Sequence, residues 1–260
     1  MKIKLVKVLT HEEETEYDKD GDPIYRGGQV FNPNDYVLSN EHLTVLGGTQ
    51  SGKTNHVIYY MKMKKAQGNR VLMITAKPER KYREVFDLVT DDGEEAVEKM
   101  LIPDEETKKL NTVLWEVDIT GGDEVSYILD SLGIYLREAM EKEDNKPVTV
   151  IVDEYSLLVK NKQEGSDINT SLQRAAATWR AYNGQLIVVA QRSSMVHHTI
   201  LTQSRLTLYR VPMGDLTSLS KITYPDLDET VLQFIDDNPF SFVVVNAFEI
   251  NRFAPIPLQQ

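Results

Sequence analysis

The sequence predicts an α/β fold, with a mostly parallel central sheet carrying helices on both faces. Three observations lead there. From residue 43 onward, short apolar runs alternate with segments of helical periodicity. Several runs, such as Val148-Thr-Val-Ile-Val152, are continuous and β-branched, as strands buried on both faces tend to be. Between the first run and the first helix lies a glycine-rich segment, Gly47-Gly-Thr-Gln-Ser-Gly52-Lys53-Thr54.

Taken in order, the run Leu43-Thr-Val-Leu46 opens a strand over 43–47, and the glycine segment leads into a helix over 53–66. Arg70-Val-Leu-Met-Ile-Thr-Ala76 forms the next strand, followed by helices over 79–89 and 94–101. A strand over 112–118, a long helix over 124–143 and a strand over 148–153 come next. A helix over 167–182 then precedes strands over 185–190 and 205–211. The last elements are a helix over 228–236 and a strand over 240–247, with 249–254 returning as an antiparallel edge. Residues 1–40 carry alternating, turn-rich patterns, including Asp20-Gly21-Asp22-Pro23, and read as a small N-terminal β extension to a main domain over 41–260.

Composition bounds the function. A chain of 260 residues, 41% hydrophobic, can bury one large core. No apolar run is long enough to span a bilayer, so no direct membrane span is expected. The opening residues turn acidic too soon for a signal peptide. The absence of cysteine excludes disulfides and thiolate metal sites. A cytoplasmic setting follows as the expectation. The net charge of −11 argues against a protein coated in nucleic acid, while leaving room for a local basic lining. The acidic runs Glu12–Glu16, Asp91–Glu95 and Asp104–Glu106, and the basic runs Lys62–Lys65 and Lys77–Arg83, read as solvated loops and helix faces.

The glycine segment fits the phosphate-binding pattern G-x-x-x-x-G-K-[ST] in its required setting of strand, loop and helix. Glycines let the backbone turn tightly and aim N–H groups at an anion, and a helix N-terminus adds its dipole. Gly47, Gly48, Thr49, Gln50, Ser51, Gly52, Lys53, Thr54 and Asn55 are therefore the expected nucleotide-binding residues. Lys53 would reach the β- and γ-phosphates of ATP, and Thr54 would ligate Mg²⁺. Downstream, the strand Val148–Val152 ends in Asp153-Glu154, a Walker B arrangement. Asp153 would hold Mg²⁺ through water, and Glu154 would polarise the attacking water. The strand Gln185–Ala190 ends in Gln191, placed to sense the γ-phosphate or hold that water. Asn145-Lys146-Pro147-Val148 begins like the guanine-reading N-K-x-D but lacks its Asp, which disfavours GTP. The Glu after Asp153 suits water activation better than transfer to a small-molecule acceptor.

Three stretches, Gly47–Thr54, Val148–Glu154 and Arg180–Ser194, together resemble the FtsK/HerA superfamily of DNA-pumping P-loop ATPases. The last stretch is similar to the FtsK-type passage ending Thr-Gln-Arg-Pro-Ser, with Ala190 where Thr is usual and Ser193 where Pro is usual. Ile200–Val211 also looks like the strand that follows in that family. The resemblance covers roughly residues 40–250 and implies a RecA-like P-loop NTPase of ASCE type, working as a ring, usually a hexamer. It implies a trans-acting arginine eleven residues before Gln191, where Arg180 stands. Arg174, Arg192, Arg205 and Arg210 are weaker candidates. The size of the chain makes it look most like the genome-packaging ATPases of membrane-containing icosahedral viruses. The implied partners are then double-stranded DNA, bound without sequence preference, and a portal or capsid vertex protein. Lys160 and Lys162 after the Walker B strand, and Arg192, His197 and His198 after the Gln191 strand, are candidate DNA contacts. Two alternatives stay open: a plasmid-mobilisation or conjugation-type DNA pump, and a nucleotide-dependent assembly switch with little motor activity.

Overall fold

The computed structural model describes residues 16–17, 23–24, 41–103, 107, 111–142, 146–159, 167–222, 227, 229–245 and 250–256. Of residues 1–40, the described ones are β1 (Glu16–Tyr17) and β2 (Pro23–Ile24), paired antiparallel. The Asp20–Pro23 turn lies largely outside the described residues.

Among the described residues the main sheet has nine strands. In chain order they are β3 (His42–Leu46), β4 (Arg70–Thr75), β5 (Leu88–Thr90), β6 (Thr112–Glu116), β7 (Val148–Asp153), β8 (Gly184–Ala190), β9 (Ser204–Leu208), β10 (Phe242–Val245) and β11 (Ile250–Phe253). Across the sheet they run β11-β10-β9-β3-β8-β7-β4-β6-β5. The block from β9 to β5 is parallel, and β10 and β11 close one edge as an antiparallel hairpin. The expected α/β architecture, the strand β7 and the final antiparallel edge are all present.

Parallel strands buried on both faces explain the continuous apolar runs. Successive side chains alternate between two cores. Ile151 joins one, packed with Val57, Ile58 and Met61 of α1 (Lys53–Ala66). Val150 and Val152 join the other, with Val125, Ile128, Leu129 and Leu132 of α4 (Gly122–Glu141) and Leu172 and Ala175 of α6 (Asp167–Thr178). Helix α3 (Gly93–Leu101) starts where the Asp92 carboxylate accepts the Glu95 N–H at 2.9 Å, an N-cap.

The structure corrects the predicted helix over 79–89. Helix α2 is a single turn, Arg80–Arg83, and Leu88–Thr90 forms strand β5 beside β6. The Asp87 carboxylate explains the break: it accepts from both the backbone N–H and the hydroxyl of Thr112 at 2.8 Å, tying the chain to the sheet edge. The predicted helix over 167–182 tightens at its end into a 3-10 turn, Trp179–Tyr182, before Asn183 at φ 61°. Short helices α5 (Tyr155–Leu158) and α7 (His198–Gln203), and the longer α8 (Met213–Ile222), were not predicted; α9 (Glu229–Asp237) matches the segment 228–236. Among the described residues, no helix is long and apolar enough to cross a membrane.

Candidate nucleotide site

The carboxyl ends of β9, β3, β8, β7 and β4 line up along one edge, where ligands of parallel sheets bind. The glycine-rich loop leaves β3 at the centre. Gly47 N–H donates to Ala190 O at 3.2 Å and Gly48 N–H to Arg210 O at 2.8 Å, so both neighbouring strands pin the loop. A side chain at Gly47 would sit 2.6 Å from Tyr209 Cβ, and Gly52 adopts φ 106°, so both positions require glycine. Helix α1 has no side-chain cap and no acidic residue in its first turn, which leaves its N-terminal N–H groups suited to an anion. The Ser51 hydroxyl is buried without a hydrogen-bond partner among the described residues. Lys53 is buried and donates to Gly47 O at 2.6 Å and Gly48 O at 2.9 Å. Burial holds its pKa below the ordinary lysine value, while Glu154 and Asp153 oppose that shift. Thr49 and Gln50 form the exposed tip, and Asn55 turns away, its amide donating to Ile256 O at 3.0 Å.

Asp153 ends β7, and Thr75 of β4 is its register partner. Burial, and next the adjacent Glu154 charge, raise its pKa to about 6, and the hydrogen bond from Tyr82 works against the rise. That bond runs from the Tyr82 hydroxyl to Asp153 Oδ2 at 3.0 Å. The same hydroxyl also hydrogen-bonds with Thr54, so Tyr82 ties the loop threonine to the strand-end aspartate. Glu154 takes φ 49°, a left-handed conformation that is uncommon for a side chain of this kind, as the strand breaks into α5. Its carboxylate is approached from both flanking strands. Gln191, following β8, donates to Glu154 Oε2 at 3.2 Å, and Lys77, following β4, places Nζ 3.6 Å from Glu154 Oε1 and 3.6 Å from Glu79 Oε1.

The structure therefore brings Lys53, Thr54, Asp153, Glu154 and Gln191 together. It adds Lys77 and Tyr82, which the sequence reading placed on a solvated helix face. Tyr82 is fully buried, and Lys77 faces Glu154. The missed signal was an aromatic residue set among charged ones, five positions after a lysine at a strand end. Lys64 is corrected as well: it lies 1% exposed, with its ammonium 5.2 Å from the centre of the Tyr60 ring.

No cluster of three or more His, Cys, Asp or Glu side chains that could hold a metal occurs among the described residues. One hydroxyl and one carboxylate, Thr54 and Asp153, fit Mg²⁺ all the same, because that ion keeps waters and borrows phosphate oxygens from its substrate. Together the edge offers a backbone cradle suited to phosphate, a buried cation, a hydroxyl and carboxylate of the kind Mg²⁺ accepts, and a second carboxylate held beside them.

Arg180 lies elsewhere. It is exposed in the Trp179–Tyr182 turn, before the amino end of β8, about 20 Å along the strand from Gln191. Arg174 pairs with Asp130 at 2.9 Å, Arg205 with Glu41 at 2.8 Å and Arg210 with Asp236 at 3.2 Å. Arg192 is half-exposed and pairs with buried Asp215 at 3.3 Å. His197 caps α7 by accepting the Thr199 N–H at 3.2 Å, and His198 is exposed. Lys160 and Lys162 lie outside the described residues.

No protein-family model and no curated protein matches the chain. Solved structures do. The genome packaging NTPase B204 of Sulfolobus turreted icosahedral virus 2, in complex with AMPPCP, aligns over 85% of this chain and 100% of its own, with 16% identity and a TM-score of 0.63. VirB4 of Thermoanaerobacter pseudethanolicus aligns over 93% of this chain and 95% of its own, with 14% identity and a TM-score of 0.58. The type VII secretion ATPase EccC of Thermomonospora curvata aligns over 94% of this chain and 29% of its own cytoplasmic domain, with 13% identity and a TM-score of 0.57. The chain has the fold of these proteins.

Proposed function

We propose that this protein is an Mg²⁺-dependent ATPase that pumps double-stranded DNA, with residues 41–260 as the motor domain and 1–40 as a β extension. The observation that carries the reading is the meeting of Lys53, Asp153, Glu154 and Gln191 at one sheet edge, from loops and strand ends far apart in sequence. In this reading the loop N–H groups and the Ser51 hydroxyl bind the phosphate chain. Lys53 exchanges its contacts with Gly47 O and Gly48 O for the β- and γ-phosphates. Thr54 and Asp153 would hold Mg²⁺, which supplies charge neutralisation between the phosphates. Glu154 polarises the attacking water, and Gln191 orients Glu154 and reports on the γ-phosphate.

Arg180 completes the site of a neighbouring copy in a ring, usually of six. Its place at the opposite end of the sheet keeps it from its own site and supports action in trans. The segments 160–165 and 192–198 grip the DNA backbone without reading bases. Fold likeness to a packaging NTPase supports viral genome packaging, with a portal or capsid vertex as docking partner and the host cytoplasm or virion vertex as location. Likeness to VirB4 over nearly the whole of both chains supports the second reading, a conjugation-type pump.

The test is steady-state ATP hydrolysis with and without random-sequence duplex DNA, at low and moderate salt. Stimulation by DNA that fades with salt is the expected result, because phosphate contacts release counterions. Turnover indifferent to DNA at both salt concentrations would favour an assembly switch.

A further inference from the structure

On the flank of the loop away from Glu154, an open-sided cavity of about 150 Å³ lies between Gln50 and Ser51 on one side and Arg210, Pro239 and Phe240 on the other. Its wall is unusual. Ser241 N–H donates to Asn238 O at 3.1 Å, closing a four-residue turn, Asn238-Pro239-Phe240-Ser241. Proline in the second position and a positive φ in the third describe a turn whose third residue is ordinarily glycine. Here that residue is Phe240, at φ 66°. A bulky side chain in this conformation is a genuine outlier, and such strain collects at ligand clamps. The ring is not used to fill the core: Phe240 is 59% exposed. It stands against the phosphate loop, where a methyl group added to Gly52 would lie 3.8 Å from Phe240 Cδ1. Asn238 holds the turn, its amide donating to Phe234 O at 2.7 Å.

The direction of the loop says what arrives there. Gly47 and Gly48 run between the ends of β8 and β9, and Lys53 faces Asp153 and Glu154 on the β8–β7 side. A nucleotide with its terminal phosphate toward Glu154 must leave the loop on the β9 side, past Gln50 and Ser51. We infer that Phe240 is the stacking platform for the nucleotide base, with Arg210, braced by Asp236, closing the edge of the same pocket. Base–aromatic stacking accepts any π-face, and the arginine plane offers a second one. The inference rests on the nucleotide reading above and adds the residue that tells a nucleotide from a bare phosphate chain.

The test compares ATP with inorganic tripolyphosphate, both with Mg²⁺, by calorimetry on the full chain. Phe240→Gly relieves the backbone strain, so the variant is expected to fold with an unchanged or higher Tm. It should bind ATP roughly tenfold more weakly, within the range for one lost stacking partner, and bind tripolyphosphate as before. Phe240→Trp should retain the affinity for ATP. Unchanged ATP affinity in Phe240→Gly, or a parallel loss of both ligands, overturns the stacking role and leaves the phosphate site standing. Failure of the wild-type chain to bind either ligand overturns the phosphate site and the base pocket together.

Discussion

The two flanks of the phosphate loop are built from opposite materials. On the β7 side the neighbours are charged and cross-linked: Lys53, Asp153, Glu154, Lys77 and Gln191 meet within one network, with the Tyr82 hydroxyl joining Asp153 to Thr54. On the β9–β10 side the neighbours are rings. The His56 ring meets Tyr209 and Phe242 edge-on at 5.8 and 5.2 Å, and Phe242 stacks on Phe253 at 5.3 Å. In the proposed reaction phosphoryl transfer develops charge, so the flank proposed to meet the γ-phosphate needs groups whose fields are already aligned. In the proposed base pocket the other flank only has to hold the loop still and receive an uncharged base. A rigid aromatic support does this, with the cation at its rim, Arg210, paired to Asp236 at 3.2 Å.

Breaking the charged flank should cost most. Glu154→Gln keeps the shape and the contact with Gln191 but loses the negative charge. Turnover should fall by about 10²–10³-fold with ATP binding retained, measured by single-turnover hydrolysis alongside nucleotide titration. An unchanged rate would remove Glu154 as the group that activates water.

The aromatic flank is tested by acid. Burial holds the His56 pKa at about 3, against 6.5 for an ordinary histidine. The unfolded chain therefore takes up a proton that the folded chain refuses, and stability present above pH 6.5 is lost as pH falls toward 3. At pH 5 the loss from this one residue is about 2 kcal/mol. Buried His42, held at about 4 mainly by burial and next by Arg180, acts in the same direction. Asp153, raised to about 6, acts in the other, since its folded form gains the proton first. The informative quantity is thus the difference between chains. Denaturant unfolding of His56→Asn, whose amide can still meet the Tyr209 hydroxyl, should show a fall between pH 7 and 5 about 2 kcal/mol smaller than that of the parent. Equal falls would mean that His56 takes up its proton in the folded state.

The smallest effect sharpens the junction between loop and β7. Tyr82→Phe removes the hydroxyl that joins Thr54 to Asp153 and leaves the ring in the core. The Mg²⁺ concentration for half-maximal turnover should rise by about tenfold, the lower end for loss of a group that orients a metal ligand. The turnover rate at saturating Mg²⁺ should change little. A reduced rate at every Mg²⁺ concentration, with the half-point unmoved, would show that Tyr82 serves packing alone.

What was legible in the sequence was local. Gly47–Thr54 is contiguous, and its glycines answer to a backbone geometry that any reader of sequence can infer. Asp153, Glu154 and Gln191 were legible because a β-branched run ending in polar residues marks the carboxyl edge of a buried strand, where ligands sit. Lys77 and Tyr82 were hidden because their meaning depends on β4 pairing with β7. That pairing sets Thr75 opposite Asp153, and a charged segment that looks solvated in isolation turns Lys77 and Tyr82 onto Glu154 and Asp153. Phe240 was hidden for the same reason, since only the antiparallel return of β10 beside β9 brings the Asn238–Ser241 turn to the phosphate loop.

The sequence by itself thus determined the α/β architecture, the place of the glycine-rich loop between β3 and α1, and the strand-end carboxylates, because periodicity and motif spacing are short-range properties of the chain. Only the tertiary structure decided which groups hold Glu154 and Asp153, and what lies on the far flank of the loop. Those contacts are made across strands whose order in the sheet is set by the burial of the whole core, and no window of sequence contains it.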